Sequence, residues 1–167
     1  LSITAVVLIV PRLLDCGLPH AFGYFLRVEP ERLRAGSVML IRHVLFAAPV
    51  AFAVAFALHY LPFAGGGAAE VTARHWPLLG LLMLSELAIL LGLATCIPTG
   101  RFRAYFATVL APPLLLLTCI AVWPRHDLVA DRLIHLLVAT SLVGSLIMAV
   151  ALGRATRGKP RTDFPVS

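Results

Sequence analysis

The sequence predicts an all-α integral membrane protein, a bundle of about five transmembrane helices with its N-terminus outside and its C-terminus in the cytoplasm. Three observations carry this. Of 167 residues, 60% are hydrophobic and 13% charged, with a mean hydropathy of +0.93, whereas a soluble domain has roughly 45–50% apolar and about 25% charged residues. Four apolar runs of 20–23 residues can each cross a hydrocarbon layer about 30 Å thick. The basic residues gather on alternate connections between those runs, which gives the bundle a direction. Lipid offers no hydrogen bonds, so the runs are expected as helices. Period-2 alternation is absent, which argues against an outer-membrane barrel.

The chain reads as one transmembrane domain over 1–167. Its first segment allows two readings. Leu1–Val10 is purely apolar, Pro11, Arg12 and Asp15 follow, and Leu13–Leu26 resumes the apolar character. Residues 1–26 are either one helix with a charged pair at its middle, or the tail of a helix followed by an interfacial segment. The remaining spans are 41–62, 76–98, 104–123 and 133–153, followed by a basic cytoplasmic tail over 154–167. Pro49 and the Pro112–Pro113 pair are expected to kink their helices. Arg27, Arg32, Arg34, Arg42, Arg101, Arg103, Arg154, Arg157, Lys159 and Arg161 fall on one side, and only Arg74, Arg125 and Arg132 on the other. The richer side is the cytoplasmic one.

The net charge of +6 does not indicate a nucleic-acid partner, because the cations sit at the ends of apolar runs rather than in one patch. The expected partners are the lipid bilayer and other membrane protein subunits. Cys16, Cys96 and Cys119 are scattered without a CxxC pair and read as small apolar packers. Thirteen arginines against one lysine, with abundant Ala, Leu and Gly, suggest a GC-rich bacterial genome and hence the bacterial cytoplasmic membrane. The chain starts at Leu1 rather than Met, which a TTG start, a processed leader or a truncated piece would each explain.

Small residues four apart mark helix contacts in lipid. The best such row is Ser141, Ser145, Ala149 and Gly153 on the last span. Ala88, Gly92 and Cys96, and Ala47, Ala51 and Ala55, form similar rows. Glu86 lies midway along its span, where an unpaired charge costs roughly 2.5–3.5 kcal/mol or more. Arg12 and Asp15, three apart and on one face, fall at comparable depth if the first segment spans. An Arg12–Glu86 bridge with Asp15 alongside is therefore expected as a buried charge cluster. A neutral Glu86 hydrogen-bonded to a neighbouring helix is the competing expectation, and a proton or substrate path the functional one.

Four of six histidines fall at the outer side: His59, His75, His126 and His135. Asp127, Asp131 and His135 are spaced four apart, and with His59 form a candidate metal or haem site, although the spacing matches no established zinc pattern. His43 and His59 bracket one span, but 16 residues at 100° leave their rings about 160° apart, which is poor for stacked haems. No cofactor is the main expectation, with haem b the one that His59 and His135 could ligate. No Gly-rich phosphate loop, GxSxG elbow or HExxH is present. The expectation is a non-catalytic subunit of a larger bacterial inner-membrane complex, of the electron-transfer kind. The alternatives are a haem- or quinone-binding anchor and a small proton-coupled carrier centred on Glu86.

Overall fold

A computed structural model describes residues 3–29, 32–58, 66–122 and 130–157. Six helices follow in order: α1 (Ile3–Leu14), α2 (Leu18–Val28), α3 (Leu33–Ala57), α4 (Gly66–Cys96), α5 (Phe102–Val122) and α6 (Ala130–Arg157). Among the described residues, four segments are long and apolar enough to cross a membrane: Leu33–Ala57, Arg74–Cys96, Phe102–Val122 and Arg132–Arg154. Leu45, Phe46, Phe106, Leu117 and Leu146 lie exposed on the outside of the bundle, as lipid contact requires. These are the helices and the surface of a multi-pass membrane protein.

The first segment departs from the single-helix reading. Residues 3–28 form two helices of 12 and 11 residues, too short to span individually. The interruption is not at Pro11, which is buried within α1, but at Asp15–Gly17. Cys16 and Gly17 take left-handed angles, φ 50° and 73°, at a cost of roughly 1–2 kcal/mol for the cysteine. Asp15 Oδ1 accepts the Gly17 N–H at 2.8 Å, forming an Asx turn. The Leu14 carbonyl, which the break deprives of a helical donor, accepts from His43 Nε2–H on α3 at 2.7 Å. A carbonyl only accepts, so this bond assigns the proton to Nε2.

α4 is the central helix and packs against all the others. It kinks at His75 (φ −114°, ψ 15°), two residues before Pro77, whose ring displaces the carbonyl four residues back. At the opposite end Gly100 (φ 67°) closes the α4–α5 turn. Arg101 N–H reaches Cys96 O at 2.8 Å and Gly100 N–H reaches Ile97 O at 3.1 Å, a Schellman closure that only a left-handed residue permits. Arg101 Nη1 then bonds Ala151 O of α6 at 3.4 Å. The bundle therefore has a histidine end, with His75 and His135, and an arginine end, with Arg101 and Arg154.

Two apolar clusters fill these halves. Val7 of α1 joins Ala51, Ala55 and Leu58 of α3, Leu79 and Met83 of α4, and Val138 of α6 at the histidine end. Phe22 and Leu26 of α2 join Leu40, Ala47, Leu87 and Leu91 toward the arginine end. Leu14 packs on both clusters, so the break sits between the levels of Met83 and Leu87. Together α1 and α2 run along α4 in its own direction.

Small residues bring the helices close. A Cβ on Gly92 would lie 2.1 Å from Met148 Cγ, and one on Gly80 would lie 2.5 Å from Phe52 Cδ1. Gly92→Val is accordingly expected to lower thermal stability in detergent by about 1–3 kcal/mol. Gly153→Ala, whose added methyl meets nothing within 4 Å, should leave the unfolding temperature unchanged. Equal stability of the two variants would contradict the α4–α6 packing.

Candidate functional site

The densest polar cluster within the bundle lies on the α4–α6 seam. Glu86 and Ser85 sit near the middle of Arg74–Cys96 and meet Ser141 and Ser145 of α6. Ser141 Oγ is 2.7 Å from Glu86 Oε1 and 2.7 Å from Ser85 Oγ. Ser85 Oγ–H donates to Leu82 O at 2.8 Å. Ser145 Oγ–H lies 3.1 Å from both Ser85 O and Ser141 O, so one proton is shared between two carbonyls.

Each serine has one hydroxyl proton, and a backbone carbonyl accepts only. Ser141 Oγ–H donates to Glu86 Oε1 and Ser85 Oγ–H to Leu82 O, and the short Ser85–Ser141 contact joins the two hydroxyls. The set clips α4 to α6.

The expected partners of Glu86 are elsewhere. Arg12 is exposed on α1 and forms no bridge with Glu86, and Asp15 is engaged with the Gly17 N–H. Arg12 and Glu86 share a depth, as the position of Leu14 indicates, but Arg12 faces away from the bundle. Val7, Val10, Pro11 and Leu14 are α1 residues turned inward. Arg32 and Glu29 form an ion pair at 2.5 Å between α2 and α3.

The row on α6 is corrected by the helical pitch. Ser141 is buried and Ser145 half-buried against α4, whereas Ala149 and Gly153 are exposed. Each four-residue step advances 400°, so Gly153 has rotated about 120° away from Ser141. The face that packs steps instead through Val138, Ser141, Gly144 and Met148, all buried. Ala47, Ala51 and Ala55 of α3 are all buried.

At the histidine end, His135 of α6 stands edge-on to His75 of α4, with ring centroids 5.2 Å apart and planes at 83°. His75 is buried at the kink and His135 is exposed. Trp76 beside them packs edge-on against Phe56 and Phe52 of α3, at 5.5 and 6.4 Å. His59 and Asp127 lie outside the described residues, and Asp131 is placed on α6 one turn before His135. With metal–nitrogen bonds of about 2.0–2.1 Å, two imidazoles trans across one ion would place their ring centres roughly 6 Å apart. The His75–His135 pair is therefore too close to sandwich a haem iron. Among the described residues no group of three His, Cys, Asp or Glu gathers as a metal site.

Sequence reasoning named Glu86, Ser141 and Ser145 without joining them, and it missed Ser85 and the His43–Leu14 bond. The only available signal for that bond was a polar ring inside an apolar run. No protein-family model, curated protein or solved structure matches the chain.

Two substitutions separate a clip from an ion pair. Glu86→Gln keeps an acceptor oxygen for the Ser141 Oγ–H and is expected to change stability by less than about 0.5 kcal/mol. Ser141→Ala leaves both Glu86 and Ser85 without that partner and should cost about 1–3 kcal/mol. Thermal unfolding in detergent measures both, and a larger loss in Glu86→Gln than in Ser141→Ala would contradict the clip.

Proposed function

We propose that this protein is a non-catalytic subunit of a larger bacterial inner-membrane complex, of the electron-transfer kind. It crosses the membrane five times, with α1 and α2 forming one discontinuous first crossing, the N-terminus outside and the arginine end in the cytoplasm. The observation that carries the subunit reading is the exposed break at Cys16–Gly17, set at the mid-level of the bundle. Irregular backbone at membrane depth persists only where protein covers it or water reaches it. Inside the bundle Glu86, Ser85, Ser141 and Ser145 join α4 to α6, and His43 closes α1. Arg12, Cys16 and His20 of the first crossing point outward, as does Arg42 of α3.

The direction rests on charge. Arg32, Arg34, Arg101, Arg103, Arg154 and Arg157 gather at the arginine end, which the positive-inside rule assigns to the cytoplasm. A crossing made of α1 and α2 runs toward that end, since α2 meets Leu40, Leu87 and Leu91 there.

Purification of the natively expressed protein in mild detergent, with mass spectrometry of the same fraction, tests the subunit reading. Stoichiometric larger partners are expected; a lone homogeneous species would overturn it. A fluorescent-protein fusion at the C-terminus is expected to fluoresce and an alkaline phosphatase fusion to be inactive, and the reverse pattern would overturn the orientation.

A further inference from the structure

We infer that the outward face of α1 and the start of α2 is a docking surface for a transmembrane helix of another subunit that carries an Asp or Glu opposite Arg12. The inference rests on the subunit reading above and names the chemistry of the partner. Arg12 is exposed and forms no ion pair with any described residue, although it stands in the last turn of α1, near the level of Glu86. Its neighbour in the turn, Asp15, accepts the Gly17 N–H. A guanidinium at mid-depth is always charged, and such a group in a crossing faces a protein partner or a water-filled cavity rather than lipid.

A second observation falls on the same face. Cys16, one turn after Arg12, and Gly17 are exposed at the break. The break leaves peptide groups outside the regular helical ladder: Leu14 O finds His43, while Leu13 O is approached only by Cys16 Sγ, at 3.7 Å. His20 is exposed one turn further on. Arg12, Cys16 and His20, each exposed around the break, are matched by a helix that supplies acceptors, with a carboxylate where Arg12 lies. A second copy of this chain fits less well, because its acids near that depth are engaged, Glu86 with Ser141 and Asp15 with the Gly17 N–H.

The test places a photoreactive amino acid at Leu13, which is 70% exposed beside Arg12, in the otherwise wild-type chain expressed in its native membrane. Adducts are mapped by mass spectrometry. A crosslink to another subunit's apolar helix, within about a turn of an Asp or Glu, is expected. Arg12→Leu should lower that adduct about tenfold or more, Arg12→Lys should retain most of it, and Arg12→Glu combined with Arg at the partner's acid should restore it. Adducts to lipid alone, to a helix without an acid, or to a second copy of the chain would overturn the inference. If larger partners copurify with the wild type while Leu13 meets only lipid, the docking face fails and the subunit reading stands. If nothing copurifies with the wild type, the subunit reading itself fails. The Leu13 variant with Arg12 intact carries the result even where a substitution at Arg12 prevents folding.

Discussion

Hydrocarbon neither gives nor accepts a hydrogen bond, and the rest of this structure follows from that constraint. Apolar side chains gain little by leaving lipid for one another, so packing alone gives little reason for one arrangement of helices over another. The polar groups supply it. Glu86 has its hydrogen-bond partner at Ser141, and Ser85 and Ser145 complete the set; together they fix which faces of α4 and α6 meet. His43 does the same for α3 and α1 through the Leu14 carbonyl. Arg101 ties the α4–α5 turn to α6 through Ala151 O. Small residues then let the backbones approach, as at Gly92 beneath Met148.

Two polar features share one level of the bundle and have opposite fates. Glu86 is half-buried on the α4–α6 seam and accepts from Ser141. Arg12 points outward and the break beside it is exposed. The first belongs to the fold of this chain; the second is a surface that a bilayer serves badly.

Much of the fold was legible in the sequence, because length and apolarity are additive properties of a window. The runs at 41–62, 76–98, 104–123 and 133–153 correspond to α3, α4, α5 and α6. Boundaries were less legible: α3 begins at Leu33, where Ser37 Oγ–H bonds Leu33 O within the helix, and α4 continues back across Pro77 to Gly66. The first segment was left between two readings, because its break is made by backbone angles at Cys16 and Gly17 and stabilised by a histidine on another helix. The serine row followed a spacing of four, but a straight helix returns to the same side every 3.6 residues, which leaves Ala149 and Gly153 outside. The depth of Arg12 could be anticipated; its direction could not, because that depends on which residues of α1 meet α3 and α4.

The central claim is that α1 and α2 form one crossing with its break at mid-depth. A spin label on Cys16, with Cys96 and Cys119 replaced by alanine, in the isolated chain reconstituted into bilayers, measures that depth through collision with oxygen and with a water-soluble nickel chelate. High oxygen and low nickel accessibility, placing the label near the bilayer centre, is the predicted result. A label at headgroup depth would contradict the claim and return residues 3–28 to the membrane surface.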